Sequence, residues 1–285
     1  MTAEEQRPTV LLALDGSPAA AAALPLARVV ARQLGAAVEI LHVAGEERPD
    51  PDLWQRLHVE LRPGEAVQTR SHAGEPASAI LQAARAPGVE VVVLTTHGRV
   101  VEPGRSLGRV AQAVIARTTA PVVLVRPEAV ESAASPRAAL RRLLLPLDGT
   151  PTTSTALRPA IQLACRLGAS VDLLYVASAD EVSAHEPGSI GAPRYVDQPQ
   201  HEWPAWADRV ISHLSAYLGG RPEGLSMQVY LVAGHIADEI ARFAAEHHSD
   251  AIVLVRRSHL EVGRARVLRA VLDRTPCPVL LVGAG

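Results

Sequence analysis

Hydrophobic positions along this chain follow two alternating patterns. Short continuous apolar runs, such as residues 10–14 and 91–94, end at turn residues and predict buried β-strands. Apolar residues recur every three or four positions over residues 20–34, which is the stripe of a helix with one buried face. Alternation of strands with helices is typical of βαβ units, and continuously apolar strands are typical of a parallel sheet covered on both faces. The pattern therefore predicts an α/β fold.

This pattern occurs twice. Residues 10–43 align without a gap with residues 143–176, at an offset of 133: VLLALDGSP matches LLLPLDGTP, and LGAAVEILHV matches LGASVDLLYV. In each copy an apolar run ends at Asp-Gly-Ser/Thr-Pro and a helical stripe follows. An internal repeat of this length indicates two similar domains on one chain.

The ends of the first helix in each copy carry recognisable signals. Ser17 and Thr150 are suited to cap a helix N-terminus, and the proline after each suits the first helical position. Gly35 and Gly168 stand where a left-handed residue ends a helix. The strands expected next are residues 38–43 and 171–176.

Later segments match at other offsets. Residues 74–80 resemble 234–240 at an offset of 160, so the second copy is longer by 27 residues, the difference between 160 and 133. We place the insertion at residues 178–204 and expect an irregular loop, because this stretch is rich in Pro, Gly, Ser and His. The last strands, APVVLV at 120–125 and CPVLLV at 277–282, match at an offset of 157.

Composition narrows the classes of function. A length of 285 residues suits two domains, and residues 127–141 have the composition of a linker, which predicts domains at 1–130 and 140–285. The net charge of −2 gives no support for a nucleic-acid or membrane partner. All 28 basic residues are arginine, so lysine chemistry is excluded. Two scattered cysteines predict neither a disulfide framework nor a metal site, and we expect a cytoplasmic protein.

Several of these pieces, in this order, resemble the universal stress protein family in its tandem form. They are LLALDGS with Asp15, LHV ending at Val43, and THGR followed by LGRVAQAVIARTTAPVVLV. The resemblance implies two tandem Rossmann-like domains of the adenine nucleotide alpha hydrolase-like type. Each would be a five-stranded parallel sheet with helices on both faces. It also implies pairing through the last strands, as an intramolecular pseudo-dimer of the two domains or in a homodimer.

ATP-binding members of that family carry Gly, two residues, Gly, nine residues, Gly and Ser or Thr. Here this pattern falls on Thr95, Gly98, Gly108 and Arg109, so one glycine and the hydroxyl residue are replaced. The resemblance implies that Asp15 contacts the ribose or adenine. The full set expected to bind ATP or another adenine nucleotide in the first domain is Ala13, Asp15, Val43, Thr95, Gly98, Gly108, Arg109 and Val110.

The second copy departs further from this pattern. It has VRRS at 255–258 in place of THGR, and RARV at 264–267 in place of LGRV. We therefore expect a degenerate site in the second domain.

We expect no catalytic residues and no metal. There is no H-E-x-x-H, Walker A or C-x-x-C sequence, and the one G-x-S-x-G match, GRSLG at 104–108, lies within the stretch from Gly98 to Gly108. A non-enzymatic regulatory protein that binds ATP is the primary interpretation. Two alternatives stay open: a nucleotide-free interaction scaffold, which Arg109 and the altered second copy favour, and a slow ATP hydrolase, which would need a metal and an aligned water.

Overall fold

A computed structural model of the chain describes ten segments, which form two compact units. The first unit comprises Met1–Leu140 with Pro278–Leu281, and the second comprises Arg141–Cys277 with Val282–Gly285. The predicted linker lies partly outside the described segments. These segments are residues 7–43, 67–71, 74–98, 106–128, 138–148, 151–177, 199–218, 224–256, 262–275 and 277–283.

Strands of the first unit form a parallel array in the order β3-β2-β1-β4-β5. Their bounds are β1 (Thr9–Leu14), β2 (Ala37–His42), β3 (Val67–Ser71), β4 (Val89–Thr95) and β5 (Val122–Val125). The apolar runs at 10–14 and 91–94 are thus confirmed as strands. Every residue of β1 after Thr9 is buried, and successive side chains point to opposite faces, so both faces of this central strand are covered.

Strands of the second unit repeat the parallel arrangement in the order β8-β7-β6-β9. Their bounds are β6 (Arg142–Leu147), β7 (Ser170–Ala177), β8 (Met227–Ala233) and β9 (Ala251–Arg256). The last predicted strand forms β10 (Val279–Gly283), and its residues that belong to the first unit pair antiparallel with β5. The α/β class is confirmed, and this pair makes the sheet of the first unit mixed.

Helices connect the strands in both units. The first unit contains α1 (Pro18–Ala21), α2 (Leu24–Leu34), α3 (Pro76–Ala84) and α4 (Arg109–Arg117). The second contains α5 (Pro151–Leu167), α6 (Pro199–Leu218), α7 (Ile236–Glu246) and α8 (Val262–Arg274). In the part of the chain that the structure describes, no helix is both long enough and apolar enough to cross a membrane.

The first helical stripe is broken where we expected one continuous helix. Ser17 caps α1 as predicted, since its Oγ accepts a hydrogen bond from the Ala20 N–H at 3.1 Å. A turn then separates α1 from α2, which Gly35 ends in the predicted left-handed conformation at φ 63°. Pro25 explains the break, because it has no N–H to donate to the Ala21 carbonyl and its ring clashes with that carbonyl.

The expected irregular loop at 178–204 is wrong for its last six residues. Helix α6 begins at Pro199, and residues 178–198 lie outside the described segments. Trp206, Val210 and Leu214 are all buried, and their spacing of four residues gives α6 a stripe that packs on the domain. Pro204 lies close enough to the start of α6 that its missing N–H removes only one early helical bond.

Candidate functional site

A cavity of about 300 Å³ opens in the first unit, at the carboxyl ends of β1, β2 and β4 and the N-terminus of α4. This is the edge of an α/β sheet at which ligands bind. All eight residues expected from the sequence line this one cavity: Ala13, Asp15, Val43, Thr95, Gly98, Gly108, Arg109 and Val110. Apolar side chains form much of the remaining wall, among them Leu14, Ile80, Leu94 and Leu107.

Asp15 is held by the turn that follows β1. Its Oδ1 accepts hydrogen bonds from the Ser17 N–H at 2.9 Å and from the Ser17 hydroxyl at 2.6 Å. Because the Ser17 oxygen also caps α1, one serine fixes both the carboxylate and the start of the helix. The carboxylate is therefore preorganised at the cavity wall and is only partly exposed.

Gly98 lies directly against that carboxylate. A Cβ atom built on Gly98 would come within 1.9 Å of Asp15 Oδ2 and 2.8 Å of its Cγ. No side chain fits at this position unless Asp15 leaves its place. The glycine that the sequence pattern selected is thus required by a close approach rather than by a special backbone angle.

Gly108 joins the end of β4 to the start of α4. Its N–H donates to the Thr96 carbonyl at 2.8 Å, and a Cβ atom on Gly108 would lie 3.3 Å from the same oxygen. Gly108 is also the N-cap of α4 and provides no side-chain cap. The first N–H groups of a helix have no acceptor within the helix, and they carry the positive end of its dipole. This end of the cavity therefore favours an anion.

Arg109 and Val110 form the first turn of α4. The Arg109 side chain is exposed, and Val110 is one of the most exposed large hydrophobic residues among those described, at 36%. Arginine in the place of a small hydroxyl residue adds a planar cation suited to carboxylate or phosphate oxygens. Positive charge from the side chain and from the helix dipole therefore lies on one side of the cavity.

Val43 follows β2 at the opposite side of the cavity. The preceding residue, His42, is 4% exposed, and its Nδ1 lies 3.1 Å from the Leu14 carbonyl. Because a carbonyl only accepts, Nδ1 carries the proton and donates this bond. The bond ties the carboxyl end of β2 to that of β1, which keeps Val43 and Asp15 on the same edge.

Thr96 was not among the residues expected from the sequence, although it lines the cavity. It is 1% exposed, and both of its backbone groups are bonded: its N–H donates to the Val125 carbonyl at 2.8 Å, and its carbonyl accepts from Gly108. Its hydroxyl oxygen is buried and has no hydrogen-bond partner in the described part of the chain. No sequence signal selects Thr96 in particular, because two adjacent threonines, Thr95 and Thr96, stand at the end of β4.

The corresponding edge of the second unit has different chemistry. Asp148, the counterpart of Asp15, is exposed at the end of β6. Arg256 stands where the first unit has Thr96, at the offset of 160, and it is 4% exposed. Burial lowers the pKa of Arg256, because desolvation disfavours its charged form. Residues 257 and 258 of the VRRS segment lie outside the described residues.

Among the residues that the structure describes, no three or more His, Cys, Asp or Glu side chains are grouped in a way that could hold a metal ion.

An α/β unit with an anion-favouring cavity at the carboxyl edge of its sheet defines a broad class of small-molecule-binding domains. Comparison with known proteins narrows that class. The family model of the universal stress protein family matches the chain twice, over residues 7–126 and 139–283, and the chain belongs to this family.

Individual relatives agree with this assignment. A universal stress protein of Thermus aquaticus is 34% identical over 135 residues, which cover 41% of this chain and 98% of the relative. A universal stress protein of Mycolicibacterium smegmatis is 31% identical over 142 residues, 44% of this chain and 48% of that protein. The fold is similar to the crystal structure of a universal stress protein from Archaeoglobus fulgidus, with a TM-score of 0.62 and 16% identity over 98% of this chain and 100% of the other.

Proposed function

We propose that the chain is a regulatory stress-response protein that binds ATP or another adenine nucleotide in the cavity of its first unit. The observation that carries the proposal is the meeting of three features at this cavity: the uncapped N-terminus of α4, the contact of Gly98 with Asp15, and the Arg109 side chain. Each is expected of a site that holds a polar, anionic ligand against backbone.

The phosphates would lie against the start of α4. The N–H groups at Arg109, Val110 and Ala111 belong to the first turn, and all three residues line the cavity. Helix dipole and N–H donors stabilise phosphate at such a position. The guanidinium of Arg109 would add charge-assisted hydrogen bonds, so the replacement of the family's hydroxyl residue is compatible with phosphate binding.

The nucleoside would lie toward the ends of β1 and β2. A carboxylate such as Asp15 accepts hydrogen bonds from ribose hydroxyls, and the turn at Ser17 already holds it in place. The Val43 backbone would meet the adenine edge, as the family resemblance implies. Apolar wall residues such as Ile80 and Leu94 give the base a surface to pack on.

The second unit would carry a degenerate site and serve a structural purpose. Its buried Arg256 stands in place of the smaller Thr96. Its Asp148 is exposed, whereas Asp15 of the first unit is only partly exposed. In line with this asymmetry, we propose a non-enzymatic protein with one nucleotide site for each chain. The division into domains at 1–130 and 140–285 belongs to the same proposal.

The two sequence repeats would form an intramolecular pseudo-dimer through their last strands. The two matches of the family model, over residues 7–126 and 139–283, support an intramolecular pair. A homodimer formed by a second copy of the chain is the alternative arrangement.

The binding proposal is tested by denaturing protein purified under native conditions and assaying the released small molecules. We expect adenine nucleotide in the supernatant, or, for protein purified without it, a rise in Tm on addition of ATP. Protein that carries no adenine nucleotide and gains no thermal stability from ATP would favour the nucleotide-free scaffold. Phosphate release above the background of a Gly108→Leu variant would favour the slow hydrolase.

A further inference from the structure

Thr96 occupies a fixed place between two structural elements. It follows the last residue of β4, and its backbone bonds join that strand to β5 through Val125 and to the N-cap of α4 through Gly108. Both bonds measure 2.8 Å. The backbone of Thr96 is therefore held by the fold, and the position of its side chain at the cavity does not depend on a loop.

The hydroxyl of Thr96 differs from the hydroxyls of three other buried residues that the structure describes. The Ser17 oxygen bonds to Asp15 and Ala20, the Thr118 oxygen accepts from the Ala120 N–H at 3.2 Å, and the Thr275 oxygen accepts from the Cys277 N–H at 3.2 Å. The Thr96 oxygen is equally buried and has no partner among the described residues. Buried polar groups are nearly always hydrogen-bonded, so an exception beside a cavity calls for a partner from outside the chain.

We propose that Thr96 is a ligand-binding residue, whose hydroxyl donates a hydrogen bond to an anionic oxygen of the molecule that enters the cavity. The inference rests on the proposed function and goes beyond it, because it assigns a side-chain contact to one of the two residues between Thr95 and Gly98 that the family's glycine pattern leaves unspecified. The choice of an anionic oxygen follows from the neighbours: Gly108, Arg109 and the first turn of α4 all favour negative charge on the same side. An acceptor oxygen placed there is the group that a hydroxyl donor complements.

The proposed contact requires rotation of the Thr96 side chain about χ1. The Thr96 oxygen is enclosed in this structure, while the residue as a whole contributes to the cavity wall. Threonine has staggered χ1 conformers that exchange its hydroxyl and methyl positions. Ligand entry is therefore accompanied by a χ1 change at Thr96, with the methyl group taking the enclosed position that suits it better.

The second repeat has a different residue type at the position that matches Thr96. Arg256, which matches Thr96 at the offset of 160 and is the last residue of β9, is also buried, but it carries a bulky cation where the first repeat has a hydroxyl. The Thr96 site would thus belong to the first unit alone.

The test is the isosteric substitution Thr96→Val, which removes the hydroxyl and keeps the shape. Without ligand, we expect an unchanged or higher Tm, because an unsatisfied buried hydroxyl is lost. The affinity for ATP, measured by calorimetry, should fall by about tenfold, and so should that for pyrophosphate, while the affinity for adenosine stays at the wild-type value. Thr96→Ser, which retains the hydroxyl, should keep the wild-type affinity for ATP.

Thr118→Val is the matched control. It removes a hydroxyl that is bonded within the protein, so it should lower Tm and leave ATP affinity unchanged. Wild-type ATP affinity in Thr96→Val would overturn the assignment of Thr96 and leave the proposed function intact. An equal loss for adenosine and ATP would also overturn it, since a phosphate contact cannot affect adenosine. Absence of ATP binding by the wild-type protein would overturn both proposals.

Discussion

The Gly98 Cα lies so close to the Asp15 carboxylate that a methyl group on Gly98 would meet Asp15 Oδ2 at 1.9 Å. The carboxylate cannot move aside freely, because the Ser17 N–H and hydroxyl both hold it. This contact links the ends of β1 and β4 at the cavity, and it accounts for a glycine at 98 in physical terms.

Gly98→Ala should therefore disrupt the site at small cost to the fold. The new methyl group displaces Asp15 and the Ser17 turn, and we expect ATP affinity to fall by at least about tenfold. Titration calorimetry with ATP measures the change in affinity. Gly234→Ala is the control in the second unit, where a Cβ atom would meet Glu239 Oε1 at 2.7 Å and φ is 153°, so stability should fall while ATP binding persists. Unchanged ATP affinity in Gly98→Ala would contradict the assignment of this site.

Ser17→Ala should lower the free energy of unfolding by about 1 to 2 kcal/mol, because it removes the cap of α1 and one bond to Asp15. Urea unfolding measures the change. Ser170→Ala is a suitable control, since that hydroxyl bonds an exposed backbone carbonyl at Arg141, and its effect should stay within about 0.5 kcal/mol. Equal effects of the two substitutions would show that the turn at Ser17 does not hold the site.

Because the Glu75 carboxylate caps α3, we expect the stability of the protein to depend on pH. Glu75 caps α3 by accepting from the Ala77 and Ser78 N–H groups at 3.1 and 2.7 Å, and bonds from the Ser78 side chain and these backbone groups lower its pKa. A lowered folded-state pKa means that the stabilisation is complete above the unfolded pKa of about 4.5 and is lost as the pH falls through the folded value. Urea unfolding of wild type and Glu75→Ala should differ above that pH and converge below it. If the difference in unfolding free energy between the two proteins grew as the pH falls, the assignment of Glu75 as the cap of α3 would be wrong.

Much of the fold follows from local sequence signals. Continuous apolar runs predicted the central strands because these strands are buried on both faces, and Gly35 predicted the end of α2 because a left-handed residue favours glycine. The periodicity of apolar residues predicted one continuous helix, although Pro25 is a sequence signal for the break before α2. Helix α6 was missed because Pro199 and Pro204 suggested a loop, whereas the buried stripe of Trp206, Val210 and Leu214 determines the structure.

The candidate site was predictable only in part. Eight of the residues that line the cavity were selected by the resemblance to a family pattern, and the residues themselves gave only the glycines and the turn at Asp15. Thr96 could not be selected from its sequence position, because its importance depends on burial and on a missing hydrogen-bond partner. Both properties arise from tertiary packing between β4, β5 and α4.

The central claim is that the first unit alone holds one adenine nucleotide. Calorimetric titration of nucleotide-free wild-type protein with ATP tests this most directly, with Gly98→Ala measured alongside. The account predicts saturable binding of one ATP per chain, which the substitution weakens strongly. No binding by the wild type, two equivalents per chain, or equal binding by Gly98→Ala would contradict it.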